Sequence, residues 1–155
     1  MSRLLAEPLS PMTGEGELPF ELNGWVDTAP FEDLLGISIE SCADGEARLS
    51  FEFVLQLAQG AGLLHGGALT TLADTAVAMA IKSLLPPSTR FATTELTTRF
   101  LAPVQGGRVT AVAKIAPREG RTFYGDAEIF DVSETVVARF RSTFRVARGQ
   151  GFDDA

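Results

Sequence analysis

The sequence predicts an α+β fold in which a curved antiparallel sheet wraps around one long central helix. Three observations predict it: strand-like alternation at 37–53, an almost uninterrupted apolar stretch at 68–85, and four further alternating segments after that stretch. A helix that is apolar on nearly all sides must be covered on most of them. A curved sheet does this and leaves one side for a second copy of the chain.

The elements before the long helix are a short helix and a hairpin. Pro30 suits a first helical turn, Glu32 and Asp33 suit a helix amino terminus, and Gly36 stops the turn. Apolar and polar residues then alternate over 37–53 on either side of an Ala-Asp-Gly turn at 43–45. This pattern predicts two strands with one buried face.

Four strands are expected after the helix, which Pro86 and Pro87 end. The alternating segments are 91–101, 108–116, 122–131 and 135–146. The separators between them are short enough for antiparallel neighbours, so the sequence predicts a four-strand meander. The last segment is the clearest, with apolar residues and one serine on one face and arginines and a threonine on the other.

The length of 155 residues predicts one domain, which we place at 29–148. Residues 1–28 hold prolines, glycines and scattered acids without an apolar period, so a loosely ordered amino-terminal arm is expected there. Residues 149–155 are expected to form a carboxy-terminal tail. The single cysteine, Cys42, excludes an internal disulfide, fits a reducing compartment and is expected to be a small strand residue.

The net charge of −7 argues against nucleic-acid binding, which depends on neutralising phosphates with lysine and arginine. Residues 1–81 carry twelve acidic and two basic side chains, whereas residues 82–155 carry eight acidic and eleven basic ones. An anionic ligand should therefore bind the second half. No signal peptide is apparent, and Asp74 and Lys82 within the apolar stretch argue against a membrane span, so a cytoplasmic protein is expected.

Asp74 is the residue most indicative of chemistry, because a carboxylate on an apolar helix is costly unless it is paired or used. Thr71 and Thr75 lie beside it, and His65-Gly66-Gly67 precedes the helix. A structural alternative stays open, in which Asp74 is only hydrogen-bonded to these threonines in a packed dimer interface. The threonines themselves can bond back to helix carbonyls without any further role.

The segment 57–75, LAQGAGLLHGGALTTLADT, resembles the hotdog-fold acyl-CoA thioesterases of the phenylacetyl-CoA and 4-hydroxybenzoyl-CoA branch. That branch has an HGG turn and an acidic residue on the central helix. The order of elements over about 115 residues is similar as well. The segment 97–103, TTRFLAP, resembles a strand motif of the family, and Gly120-Arg121 resembles its later turn.

The resemblance implies hydrolysis of an acyl-CoA thioester to a free acid and coenzyme A, with no metal or cofactor and with coenzyme A entering only as part of the substrate. Asp74 would be the nucleophile or the base that activates water. The backbone N–H of Gly66, near the positive end of the helix, would bind the thioester oxygen. Gln59 would lie near the acyl carbonyl.

Supporting and substrate-binding residues follow from the same resemblance. His65 and Gly67 are expected to shape the turn, His65 as a structural residue rather than a general base, and Thr75 could position a water. For the anionic coenzyme A moiety, Arg121 and Thr122 are the favoured contacts. Three further candidates are Arg90, Arg99 and Arg118, although each arginine could be an ordinary surface charge.

The separation of Asp74 from Gly66 along the helix predicts a site shared between two chains. If the helix begins near Gly67, Asp74 lies about 10 Å along its axis, too far for both Asp74 and the Gly66 N–H of one chain to contact one carbonyl. In the family the two subunits of a dimer supply the two halves. We therefore expect an obligate homodimer, or a homotetramer built from such dimers.

Two other functions stay open. A non-catalytic acyl-CoA-binding module would use the same pocket, although a regulator would normally carry an added DNA-binding helix-turn-helix that residues 1–28 do not resemble. A hotdog dehydratase or hydratase would pair a histidine with an acid in another spacing. His65 is the only histidine, and it lies in the HGG turn.

Overall fold

The computed structural model describes residues 1–152, in which a six-stranded antiparallel sheet surrounds a central helix and a small strand pair lies near the amino terminus. In chain order the elements are β1 (Arg3–Leu4), β2 (Phe20–Glu21), α1 (Pro30–Leu34), β3 (Ser38–Ala43), β4 (Glu46–Glu52), a 3-10 turn (Leu55–Leu57), α2 (Gly66–Lys82), β5 (Phe91–Phe100), β6 (Arg108–Ile115), β7 (Thr122–Phe130) and β8 (Val136–Val146). The predicted α+β fold with one long helix is confirmed.

The strand order in the sheet is β3-β4-β6-β7-β8-β5. The predicted meander is correct for β6, β7 and β8 but wrong for β5, which pairs with β8 instead of β6. No residue of β5 is fully buried, whereas β8 buries an apolar row that includes Val137 and Phe140. The more polar strand therefore takes the edge, and the connection at 101–107 crosses the ends of β8 and β7.

Helix α2 contacts every strand of the six-stranded sheet. Most of its side chains are buried, among them Leu72, Val77 and Ile81, none of which is exposed to solvent. One stripe, at positions 70, 71, 74, 78 and 82, is only partly buried. The sheet therefore covers the helix on all sides but one, and Asp74 lies on the remaining side. Within residues 1–152, α2 and the other helix are too short or too polar to cross a membrane.

The turn between β3 and β4 forms as predicted. Asp44 and Gly45 both have positive φ angles, 53° and 78°, which is the backbone that a two-residue turn needs to match the twist of its strands. Asp and Gly tolerate that conformation best. Local sequence is thus sufficient to set this hairpin.

The amino-terminal segment is attached to the domain by its charges. The α-ammonium group of Met1 forms an ion pair with the buried carboxylate of Asp27, and the backbone N–H of Ser2 donates to Asp33 Oδ2 over 2.9 Å. Strands β1 and β2 pair with each other within the segment. Residues 1–28 therefore contact α1, and they carry Trp25 to the open side of α2.

Gly125 on β7 lies directly against α2. A Cβ atom at this position would lie 2.4 Å from Val77 Cγ1 and 3.0 Å from Ile115 Cδ1. We expect Gly125→Ala to lower the free energy of unfolding by about 1–3 kcal/mol, because the helix must move away from the sheet. Urea unfolding measures this change. The loss of stability caused by Gly125→Ala should be smaller in a Val77→Ala background. An unchanged free energy of unfolding when Gly125→Ala is made in the wild type would contradict the close packing.

Candidate active site

His65 caps the amino terminus of α2. Its backbone is extended, with φ −63° and ψ 131°, and its Nδ1 accepts a hydrogen bond from the Gly67 N–H over 2.8 Å. This contact satisfies one of the backbone donors that a helix leaves unpaired in its first turn. The imidazole is thus turned toward its own backbone, a structural arrangement of the kind expected for this residue.

Gly66, the first residue of α2, presents a free backbone donor. No acceptor for its N–H lies among residues 1–152. The ring of Phe100 is so close that a Cβ atom on Gly66 would lie 3.0 Å from Phe100 Cζ. An unpaired N–H at the positive end of a helix favours an oxygen that gains negative charge, so this position fits an oxyanion donor.

Gln59 lies in the loop that leads to this helix. Its backbone N–H donates to Leu63 O over 2.8 Å, and its side-chain Oε1 accepts from the Ala61 N–H. The loop is held further by the His65 N–H, which donates to Leu57 O over 2.9 Å. Gln59 therefore braces the loop before the HGG turn through its side-chain oxygen.

Asp74 lies partly buried on the open side of α2, with its Oδ1 accepting a hydrogen bond from Thr93 Oγ1 over 2.8 Å. Burial raises the pKa of this carboxyl above 3.8, the bond from Thr93 opposes the rise, and the negative charge of Glu32 adds to it. A desolvated carboxylate is more basic and more nucleophilic than an exposed one, which suits either catalytic role.

A cavity of about 420 Å³ opens beside Asp74. Thr75, predicted as a supporting residue, is buried in its wall. The charged residues that line it besides Asp74 are Glu32, Lys82 and Arg90. Thr71, by contrast, donates to Gly67 O over 2.8 Å and does not line the cavity. Of the two threonines that flank the acid in sequence, only Thr75 therefore shares its cavity.

Three aromatic side chains form one wall of this cavity. Trp25 meets Phe91 edge to face with ring centroids 6.5 Å apart, and Phe91 lies 5.9 Å from the ring of Phe144. The indole is fixed because its Nε1–H donates to Lys82 O over 3.0 Å while the Lys82 ammonium lies 4.7 Å from the ring centroid. The cavity thus pairs an acid with an apolar, aromatic surface.

The predicted coenzyme A contacts lie in different places. Arg90 lines the Asp74 cavity, and Arg121, which is buried, donates to Val146 O over 3.0 Å at the same end of β8. The Ala147 N–H donates to Arg90 O, so the two arginines occupy one end of the sheet. Arg90 is therefore near the acid, and Arg121 contributes at least partly to folding.

The remaining contacts are more distant or engaged elsewhere. Thr122 exchanges backbone hydrogen bonds with Glu119 beside Arg121. Arg118 lies over the Phe152 ring at 4.7 Å. Arg99 is opposite Arg139 in the β5–β8 ladder and lines a cavity that does not include Asp74. The structure does not bring Arg99 to the acid.

Neither Thr93 nor Trp25 is predicted as a site residue from the sequence. Thr93 is one of several threonines in a polar strand, and only the placement of β5 against α2 distinguishes it. Trp25 is the single tryptophan of the chain, within a segment expected to be loosely ordered. The rarity of tryptophan in a polar segment is the one sequence signal that could have indicated a role for Trp25.

A larger groove of about 720 Å³ lies away from Asp74 and contains none of the predicted site residues. Its wall includes Arg48 and Arg108, which form ion pairs with Glu40 over 2.8 and 3.4 Å. These charges are neutralised within the sheet. The smaller cavity is therefore the better candidate site, because Asp74 is desolvated there and forms no ion pair with any basic group of residues 1–152.

Comparison with known proteins gives the family. Residues 61–138 match the Thioesterase superfamily. The acyl-coenzyme A thioesterase PaaI of Escherichia coli is 34% identical over 108 residues, which are 69% of this chain and 75% of that protein. The 1,4-dihydroxy-2-naphthoyl-CoA hydrolase of Listeria monocytogenes is 31% identical over 118 residues, which are 76% of this chain and 95% of that protein.

A solved structure also resembles this chain. The Escherichia coli PaaI protein from the phenylacetic acid degradation operon superposes with a TM-score of 0.72 at 31% identity, over 79% of this chain and 87% of that one. The predicted resemblance and the hotdog fold are confirmed. The family match covers half of the chain and spans the HGG turn, the central helix and strands β5 to β7, so this chain belongs to the thioesterase superfamily.

Proposed function

We propose that the protein is an acyl-CoA thioesterase that uses water to split an acyl-CoA into a free acid and coenzyme A. The observation that carries this proposal is Asp74, a partly buried carboxylate with a raised pKa that lines an aromatic-walled cavity. The relatives named as an acyl-coenzyme A thioesterase and a CoA hydrolase support the reaction class.

The chemistry divides between Asp74 and Gly66. In a nucleophilic mechanism, Asp74 attacks the thioester carbonyl, the coenzyme A thiolate leaves, and water then hydrolyses the acyl-aspartyl anhydride. In a general-base mechanism, Asp74 takes a proton from a water molecule as that water attacks the thioester carbonyl. In both, the free N–H of Gly66 stabilises the negative oxygen of the tetrahedral intermediate. Gln59 is proposed to face the acyl carbonyl.

A homodimer is part of this proposal. Gly66 and Asp74 are eight residues apart on one helix, about 12 Å along its axis, so a single carbonyl cannot contact both within one chain. Strand β5 ends the sheet with one edge unpaired among residues 1–152, and it exposes Leu96 and Phe100 at 40% and 54% of their surfaces. A second copy would cover this edge and complete the site.

For the coenzyme A phosphates, Arg90 is the contact best supported by position, because it lines the cavity that holds Asp74. Arg121, Thr122 and Arg118 remain proposals for the nucleotide on the basis of the family resemblance. Arg99 is the weakest of the set, since it lies on a different cavity.

Hydrolysis of a panel of acyl-CoA and acyl-carrier-protein thioesters, followed with a thiol reagent, tests the proposal. We expect release of free thiol from at least one acyl-CoA, by a species that light scattering identifies as a dimer or tetramer. Tight acyl-CoA binding without thiol release would instead show a binding module. Consumption of an enoyl-CoA without thiol release would show a hydratase.

A further inference from the structure

Trp25 lines the cavity that contains Asp74, and it is attached to the last turn of α2. Its indole Nε1–H donates to Lys82 O over 3.0 Å, and the Lys82 ammonium donates to Trp25 O over 3.0 Å. Asp74 and Lys82 are eight residues apart on α2, which is about 12 Å along the helix axis. The indole is therefore held near the opposite end of the cavity from the carboxylate.

The space between these two ends is apolar and aromatic. Ala78, one helical turn after Asp74, lines the cavity with a small side chain. The Phe91 ring lies 6.5 Å from the indole and 5.9 Å from the Phe144 ring, measured between ring centroids. A surface of this kind suits an apolar acyl group whose carbonyl lies at Asp74.

The segment that carries Trp25 is fixed on both sides of the indole. The buried Asp27 carboxylate accepts hydrogen bonds from the backbone N–H groups of Asn23 and Thr28, each over 2.8 Å. The Lys82 ammonium lies 4.7 Å from the centroid of the indole ring, a favourable cation–π distance. The indole cannot turn out of the cavity without losing these contacts, so it is a fixed wall.

We propose that Trp25 is a specificity-determining residue for thioester hydrolysis. Its indole closes the far end of the acyl pocket, so that a single aromatic ring or a short chain fits and a long fatty acyl chain does not. The cavity volume of about 420 Å³ is near the lower end for small-molecule sites and agrees with a compact acyl group. The proposal rests on the proposed function, because it assigns this cavity to the acyl group.

The first test uses fluorescence. Trp25 is the single tryptophan of the chain, so indole emission reports on this residue alone. Asp74→Asn, which should turn over substrate slowly, is titrated with hexanoyl-CoA, acetyl-CoA and free coenzyme A. We expect hexanoyl-CoA to shift the emission to shorter wavelength and to protect it from acrylamide, because the chain displaces water from the half-buried indole. Acetyl-CoA and free coenzyme A, which do not reach the indole, should leave the emission unchanged.

The second test is kinetic and compares kcat/KM for dodecanoyl-CoA with kcat/KM for hexanoyl-CoA. Trp25→Ala is expected to raise this ratio by about 10-fold or more, because removal of the indole opens the far end of the pocket. Trp25→Phe keeps a ring and should raise the ratio less. Val26→Ala is the matched control: Val26 is the next residue, is 37% exposed and does not line the cavity, so the ratio should stay unchanged.

The failures are distinguishable. A wild-type chain that hydrolyses no thioester overturns the proposed function, whereas the emission measurement still decides whether the acyl group ends at Trp25. Emission that hexanoyl-CoA leaves unchanged, or that all three ligands change equally, overturns the role of Trp25 in an active or an inactive chain. A selectivity ratio that is the same in the wild type and in a folded Trp25→Ala variant also overturns it. If that variant does not fold, the emission of Asp74→Asn, which retains Trp25, decides.

Discussion

Asp74→Asn is expected to lower kcat for acyl-CoA hydrolysis by about 10²–10⁴-fold, the range in which a positioned acid or base contributes. Asparagine has nearly the same shape, and its side-chain oxygen can still accept the hydrogen bond from Thr93. The substitution therefore removes charge and nucleophilicity without removing packing. Steady-state thiol release measures the loss, and turnover close to the wild type on every thioester would show that Asp74 is not the catalyst.

The same substitution should stabilise the fold at neutral pH. Because burial raises the pKa of Asp74 above 3.8, the folded state binds this proton more tightly than the unfolded state. The carboxyl group thus contributes stability at low pH that is lost as the pH rises through its folded pKa. We expect Asp74→Asn to unfold at higher urea than the wild type at pH 7, with the difference shrinking near pH 4, at equal chain concentrations.

Gly66→Pro is expected to lower kcat by about 10²–10³-fold, the effect of removing one oxyanion donor. Proline lacks the backbone N–H, and the first position of a helix tolerates it well. The preceding residue, His65, already has the extended backbone that a following proline requires. The helix should therefore form normally while the donor to the thioester oxygen is absent.

Gly66→Ala is the matched control. Alanine keeps the N–H but adds the same Cβ atom beside Phe100, whose ring tip is the end of a flexible side chain. We expect the alanine variant to keep most of kcat. Equal losses in both variants would show that crowding at Phe100, and not the missing N–H, lowers the rate.

Mixing two inactive variants tests whether the site is shared. If Asp74 of one chain works with Gly66 of its partner, a heterodimer of Asp74→Asn and Gly66→Pro contains one intact site. Random reassociation of equal amounts would then give about a quarter of wild-type activity, since half of the dimers are mixed and each has one working site of two. No recovery after verified subunit exchange would place both groups of a site in one chain.

Local sequence was sufficient for the hairpin and for the last strand. The positive φ angles at Asp44 and Gly45 depend only on those two residue types. The buried face of β8, from Ala138 to Val146, follows from the alternation of buried and exposed residues within that strand. The prediction of Asp74 as the key residue used equally local information, an acid among apolar helix positions. The structure places it beside an aromatic cavity.

Long-range packing determined the position of β5 and the direction of its side chains, which local sequence patterns could not predict. The position of β5 beside β8 depended on which strands bury more apolar surface, a comparison across the whole sheet. The bulge at Thr94 changes the side of the strand that faces the helix, and no motif in the sequence marks it. Hence alternation alone could not place Thr93 beside Asp74.

The sequence by itself determined the α+β class, the two helices, the six strands of the main sheet and the importance of Asp74, because helix and strand periodicity and the cost of an isolated charge are local properties. Only the tertiary structure decided the neighbours of that charge: Thr93 through a bulge, and Trp25 through a segment held by the ion pair of Met1 with Asp27. These two residues lie 19 and 49 positions from Asp74 in the sequence, so their contacts depend on how the elements pack.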